Sequence, residues 1–415
     1  MKKRKYKRLS QKQYRKISLV LCIIALGMLG TVLKLTLFSS ADTSNKKTMT
    51  KIVSKDASNN NSSNNIQSKT SNTEDKTSNS REPSQLDQPG QEVSQLHQND
   101  SVEVVLTAVG DCTLGRDDKF SFEGSLPYVL KKNNYDYSYI FKNVSHIFKN
   151  DDITIANLEG PFTNSKSKAE KQFAFKAPPE YAKILTAGNI EGVNLSNNHI
   201  KDYLDEGFKD TIAALDSEGI NYFGEGNTWI KEIKGIKFGF LGYKGFYDSK
   251  ELLEKVKNDI KTLKTQNCVV VINFHWGEEG NYEHNSVQKR IAHYAIDNGA
   301  DLIIGHHPHV IQGIEQYKNK LIFYSLGNFA FGGNKNPKDK NTIIPQIKFK
   351  FRNNLLESYD LKVIPAKISS VDYINDYCPT PAKGDSKASI LNNLNKLSPN
   401  LGFELNENFH SVNLK

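Results

Sequence analysis

Five short apolar runs lead into side chains that bind metals or move protons. Asp111 follows "VVLTAVG", Asn157 and Glu159 follow "ITIA", Asn198 and His199 follow "VNLS", His275 follows "VVVINF", and His307 and His309 follow "LIIGH". Carboxylate, amide and imidazole together make a mixed oxygen and nitrogen donor set. Such a set suits Mn, Zn or Fe better than Ca or a thiolate-bound ion. Two divalent ions bridged by a carboxylate would need about this many donors, and one ion would need fewer. A pair would clamp attacking and leaving oxygens and supply hydroxide at neutral pH. His199, beside the candidate ligand Asn198, is then placed to act as the general acid.

Each motif alone also has a plain structural reading. A Gly-Asp pair after a strand is common turn vocabulary, "SNNH" is ordinary loop sequence, and His275 beside Trp276 fits a satisfied core histidine. "GHHPH" is sharper, because His307 and His309 flank a proline on a loop, which suits a cation better than packing. Their occurrence together, at successive strand ends, is what points to a site. Glu279 in "HWGEE" and Asn328 in "SLGNF" also follow apolar runs and are candidates for lining the same crevice. The alternatives are a solvated Glu279 and an Asn328 that supports a turn.

Positioning these residues requires a sheet whose strand ends meet. From Val102 onward, β-rich runs such as "VEVVLTAVGD", "DITIANLEG" and "CVVVINFHWG" alternate with amphipathic stretches. "SYIFKNVSHIFKN", "PPEYAKILTAG", "DEGFKDTIAALDSEG", "KELLEKVKNDIKTLKTQN" and "SVQKRIAHYAIDNGA" read as helices, and "KEIKGIKFGFLGY" as a hairpin. "DLIIGHH" and "KLIFYSLGNF" read as strands. This alternation predicts an α/β domain with helices covering sheets. Strand C-termini of open α/β sheets converge on one crevice, which is where ligands bind.

The first hundred residues have a different texture. Residues 1–16 hold nine Lys or Arg and no acid, and 17–38, "ISLVLCIIALGMLGTVLKLTLF", is apolar except for Lys34. That length matches a bilayer core, and the basic flank predicts a cytoplasmic N-terminus with the remainder outside the cell. A cleavable signal peptide is the alternative. Residues 39–100 are rich in Asn, Ser, Gln and Thr, a composition that predicts a disordered stalk. The net charge of +9 is carried by the basic tail, so it reports membrane topology and argues for no nucleic-acid partner. Three cysteines beyond Cys22 are too sparse for a disulfide framework. Residues 101–365 are expected to form the folded domain. Residues 366–415 form a C-terminal extension with one helical pattern, packing on the domain or meeting a partner.

In order along the chain, "AVGDCTLGR", "ANLEGPF", "NLSNNH", "HWGEE", "GHHPHVIQ" and "YSLGNF" resemble the CapA/PgsA family of poly-γ-glutamate capsule-biosynthesis proteins. The resemblance implies a metallophosphoesterase-like β-sandwich of two mixed sheets flanked by helices. It further implies work on poly-γ-glutamate at the cell membrane with other subunits of a synthesis complex. Carried onto these motifs, the metallophosphoesterase pattern implies metal contacts from Asp111, Asn198, His275, His307 and His309, with His199 as the catalytic histidine. Two departures stand out. Thr113 replaces the histidine of the usual Asp-x-His, and Glu159 stands in for a bridging aspartate. One ion or two therefore stays open. Arg116 and Asn157 fall where an anionic substrate would be bound, or else they cap and pack. Three readings follow: a metal-dependent hydrolase or transferase acting on the polymer, a non-catalytic guide for the chain, and a phosphoesterase without a capsule role.

Overall fold

The computed structural model describes residues 101–413, so the anticipated basic tail, membrane segment and stalk lie outside the described residues. Two mixed sheets are built from alternating strands and helices, in agreement with the α/β reading. The larger has nine strands. Its parallel part runs through Ser101–Thr113, Ile153–Leu158, Gly192–Asn194 and Asn221–Phe223, with Asn328–Phe331 also parallel to the first strand. An antiparallel part, Asn341–Arg352 and Leu355–Lys367, extends it on the other side.

The smaller sheet has six strands, in the order Ile314–Tyr317, Lys320–Phe323, Leu302–His306, Val269–His275, Ile236–Lys244 and Trp229–Ile233. Its four inner strands are parallel and both edges are antiparallel. One buried apolar cluster draws Leu106 and Ile155 from the larger sheet and Phe240, Val271 and Ile304 from the smaller. The sheets therefore face each other across a common core. Further apolar clusters join each outer face to helices, including Leu204–Ser217 on the larger sheet and Lys250–Lys264 and Ser286–Asp297 on the smaller. Among the described residues no helix is long and apolar enough to cross a membrane.

Two sequence expectations change in detail. "SYIFKNVSHIFKN" forms a single 3-10 turn at Tyr137–Tyr139 and a one-turn helix at Ser145–Phe148. Its apolar residues Ile140, Phe141, Val144, Ile147 and Phe148 are nevertheless all buried, so the periodicity reported the core face and not the local geometry. "KLIFYSLGNF" divides into Lys320–Phe323 in the smaller sheet and Asn328–Phe331 in the larger. Ser325 and Gly327 lie between the two halves, and Gly327 takes a positive φ of 76° that suits glycine.

The C-terminal residues are part of the same layers. Thr380–Pro381 and His410–Asn413 pair with Leu355–Lys367, and the helix Gly384–Leu397 places Ile390 and Leu394 in the common core.

Candidate metal centre and cavity

Asp111 lies inside its strand and not after it, at a register shift where it stands opposite both Asn157 and Asn328. Gly110 makes this possible: a Cβ there would lie 2.0 Å from the carbonyl oxygen of Gly327. The backbone of Asp111 donates to that same oxygen at 3.0 Å. Close approach of the two strands thus brings Asp111 and Asn328 to one edge.

Asp111 is fully buried, as are Asn157, Glu159 and His275. Asn157 Nδ2 donates to Asp111 Oδ1 at 2.8 Å, and its Oδ1 accepts Asn194 Nδ2 at 2.8 Å. Asn157 is therefore a polar strut beneath the site. The His307 backbone N–H donates to Asp111 Oδ2 at 3.2 Å, and His309 Nδ1 lies 3.3 Å from the same oxygen. His275 Nε2 is the meeting point of a second group, 2.8 Å from Asn198 Oδ1, 3.1 Å from His307 Nδ1 and 3.4 Å from Glu159 Oε1. Both His307 and His309 have positive φ, 97° and 58°, so the "GHHPH" loop holds a strained backbone that aims two imidazoles inward.

The donors sort into three sets whose ligand atoms lie within 4.8 Å of one another: Glu159, His275 and His307; Asp111, Glu159 and His309; and Glu279, His307 and His309. Glu159 belongs to the first two. Its Oε2 accepts the Thr113 hydroxyl at 3.3 Å, whereas its Oε1 is buried without a hydrogen bond among the described residues. A buried carboxylate oxygen left unsatisfied is expensive unless a proton or a cation meets it. The residues present therefore fit a divalent ion, in a mixed oxygen and nitrogen environment.

Electrostatics agree with that fit. Burial pushes Glu159 up to about 7, with Asp111 adding to the rise. Burial also opposes charge on Asp111, but contacts with His306 and His309 outweigh it and hold the carboxyl well below its usual range. His275 is held well below the usual imidazole range, first by burial and then by His307. Burial and the neighbouring His309 push His307 down to about 4. For His309, burial works against charge, yet Glu159 and Asp111 lift it to about 10. Burial thus disfavours charge on His275 and His307, whereas the two carboxylates draw positive charge toward His309, where a cation would otherwise meet them.

A cavity of about 1130 Å³ opens over this cluster, lined by His199, His309, Glu279 and Asn328, with Phe120, Phe173, Phe175 and Phe331 as apolar wall. His199 sits at its edge, Nδ1 2.7 Å from the buried Asp202 carboxylate. Asn328 Oδ1 lies 2.9 Å from His309 Nδ1, which orients that ring. Arg116 is not among the lining residues. Its Nη1 donates to the carbonyls of Asp117 and Phe120 at 3.0 and 2.8 Å and so braces a loop. The cations on the cavity wall are Lys119, Lys335 and Lys338.

Sequence reasoning missed His306, Asp202, Lys171 and Phe246. His306 Nε2 lies 2.8 Å from Asn273 Oδ1, and its Nδ1 is 3.4 Å from Asp111 Oδ1. Phe246 sets its ring edge-on against His307, with centroids 4.8 Å apart. His306 was visible within "GHHPH", and Asp202 follows His199 by three residues; nothing local marks Lys171 or Phe246. Cys112, Cys268 and Cys378 are free and buried, and burial pushes the Cys112 thiol up to about 12, so it serves packing.

Residues 105–333, more than half of the chain, match the model of the bacterial capsule synthesis protein family PGA_cap. The chain belongs to this family. Similar relatives include the capsule biosynthesis protein CapA of Bacillus anthracis, 32% identical over 266 residues, which are 58% of this chain and 62% of that protein. Another is the PGA biosynthesis protein CapA of Bacillus subtilis strain 168, 31% identical over 284 residues, 62% of this chain and 71% of the relative. The match therefore spans a little under two thirds of the first relative. The PGA_cap region contains Asp111, Glu159, Asn198, His199, His275, His307 and His309, whereas the helix Gly384–Leu397 lies beyond it.

Proposed function

We propose that this chain is a membrane-anchored, outward-facing component of capsule formation that acts in the synthesis, export or attachment of poly-γ-glutamate. The capsule role rests on the family and on the names of its CapA relatives. The anchor and topology rest on the apolar segment 17–38 and its basic flank. Other subunits of the synthesis machinery are its expected partners.

One observation carries the chemical part of the reading: Glu159 Oε1 is a buried acceptor with no hydrogen bond among the described residues, and Glu159 belongs to two metal-capable groups. Glu159, His275 and His307 would hold one divalent ion, with Asn198 beside them, and Asp111, Glu159 and His309 would hold a second. Mn, Zn and Fe all suit this set. When bound, such ions supply a Lewis acid and a nucleophile at neutral pH, in the manner of metallophosphoesterase-like sites. The chain's own residues do the remaining work. Asn328 and Asp111 orient His309, Asn157 fixes Asp111, and Phe246 packs edge-on against His307. His199 offers a proton at the cavity edge. Lys119, Lys335 and Lys338 place positive charge where a polycarboxylate would enter.

A second reading has one observation in its favour. Thr113 occupies the position of a ligand histidine and ties up Glu159 Oε2, which weakens one metal position. In that case the cavity guides the polymer without cutting or transferring it. Complementation of a capsule-deficient strain with full-length His199→Ala and His307→Ala chains separates the two. Loss of surface polymer in both supports retained chemistry, and full restoration by both supports the guide. A third reading, a phosphoesterase without a capsule role, requires metal-stimulated turnover of a generic phosphodiester by the full chain together with normal capsule in its absence.

A further inference from the structure

The cavity over the metal-capable cluster shares a wall residue with two smaller ones. Tyr282 borders all three, the smaller two having volumes of about 320 and 230 Å³. Asp339 lines the large cavity and the 320 Å³ one, and Lys396 lines both small ones. The three are thus neighbours along one surface, with Tyr282 as the ridge between them. Their far end is the last turn of the helix Gly384–Leu397, which carries Lys396.

The ridge and the far end are both held in place. Gln312 is buried, and its Nε2 donates to the carbonyls of Asn281 and Glu283 at 2.8 and 3.2 Å, fixing the backbone on either side of Tyr282. The Tyr282 hydroxyl donates to Asp339 Oδ2 at 2.8 Å, while the residue remains 48% exposed. At the far end, the Ile314 N–H donates to Ser398 Oγ at 2.8 Å. Gly313 admits the Leu397 carbonyl oxygen, which a Cβ there would meet at 2.0 Å. The end of the helix is therefore docked on the smaller sheet.

The walls of the 320 Å³ cavity suit a chain of spaced carboxylates. Ile311, Leu394 and Leu397 give it an apolar side, and Asn341 and Asn393 lie beside them. The acid among its lining residues, Asp339, is already engaged by Tyr282 and by the Asn341 backbone N–H at 2.8 Å. The cation, Lys396, has no ion pair or hydrogen bond among the described residues. A lysine in a last helical turn is favoured by the helix dipole wherever it lies, but this one borders two cavities. The 230 Å³ cavity is a poorer fit, since Glu283 and Glu315 stand there beside Lys289 and Lys396.

We propose that poly-γ-glutamate held in the large cavity continues over Tyr282 into the 320 Å³ cavity, where Lys396 binds a carboxylate further along the chain; this rests on the capsule reading above and adds a distal subsite to it. The Tyr282 ring meets the methylenes of the crossing unit. Apart from Tyr282 and Ile311, every residue lining this subsite lies beyond the matched region 105–333, so the C-terminal segment gains a role in binding. A polymer long enough to reach Lys396 makes that contact intramolecularly, so affinity rises with length.

The test is fluorescence anisotropy of end-labelled γ-glutamate oligomers of graded length, bound at low ionic strength to the full-length chain in neutral detergent. The wild type should bind longer oligomers more tightly until the groove is spanned. Lys396 is exposed, so its replacement leaves the fold in place. Lys396→Glu should weaken long oligomers by roughly fivefold and leave the shortest binding oligomer unchanged. Lys396→Arg should behave as the wild type, and Tyr282→Ala should resemble Lys396→Glu. Lys338→Glu, in the large cavity, should weaken every length. Equal long-oligomer affinity in wild-type and Lys396→Glu chains overturns the subsite and leaves polymer binding in the large cavity standing, as does a loss in Lys396→Glu that is uniform across lengths. Failure of the wild type to bind any length overturns the subsite and the polymer reading together.

Discussion

At the scale of single residues, charge in the cluster is unevenly distributed, and pH should expose that. His309 is raised from 6.5 to about 10, chiefly by Glu159 and Asp111 against the opposing effect of burial. A group raised on folding stabilises fully below its unfolded value and loses that contribution as pH climbs through the folded one. Chelator-treated full-length protein should accordingly lose thermal stability between about pH 6.5 and pH 10, with much of that slope absent in His309→Gln. A flat profile in the wild type would contradict the assignment. Glu159 acts on folding with the same sign, since burial lifts it to about 7, but at this residue a proton competes directly with any cation. Calorimetric titration with Mn²⁺ should therefore show weaker binding at pH 6 than at pH 8, and Glu159→Gln should remove most of the binding at both.

Residue types and spacing made much of this cluster legible. Asp111, Glu159, Asn198, His275, His307 and His309 were visible because each sits beside an apolar run, and the fold brings those runs together. Asp202 and Lys171 were not, since their significance lies in a contact between two loops 31 residues apart in sequence. Nor could spacing tell that Arg116 spends its guanidinium on local carbonyls while lysines from distant loops take the wall. Charge is easy to read from a sequence; what that charge touches is not.

At the scale of elements, strand crowding places the acid cluster. Gly110 is one of the tight points, because a Cβ there would lie 2.0 Å from the Gly327 carbonyl oxygen, a backbone atom that cannot swing aside. Gly110→Ala should destabilise the protein by about 3 kcal/mol, at the upper end for overpacking, as read from the urea midpoint. It should also weaken cation binding, because Asp111 and Asn328 would be driven apart. A helix cap is a milder case. Asn285 caps Ser286–Asp297 through a reciprocal pair with Gln288. Its replacement by Ala should cost about 1 kcal/mol and leave the distant cluster intact. The helix at Ser145–Phe148 and the divided "KLIFYSLGNF" show where periodicity misled: burial follows the core, while hydrogen bonding follows whichever sheet edge is within reach.

At the scale of the molecule, the cavity's composition bears on its cargo. Three lysines and four phenylalanines on the wall, against the two acids Glu279 and Asp339, suit a chain that alternates carboxylates with methylene groups. Binding of poly-γ-glutamate to the full-length protein should weaken as ionic strength rises. Lys338→Glu should weaken it by roughly fivefold, the range expected for an exposed charge pair worth up to about 1 kcal/mol. Binding indifferent to salt would argue that the polymer lies elsewhere.

The cluster also straddles the seam of the sandwich. Asp111, Glu159 and Asn198 come from the larger sheet or its loops, whereas His275, His307 and His309 come from the smaller. An ion gripping both sets would act as a rivet between the layers, and a chain with only one layer formed would offer half a socket. Loading would then fasten the halves together, and stripping transition metal from the protein would leave molecules whose layers part more readily, a loss readable as faster cleavage by an added protease.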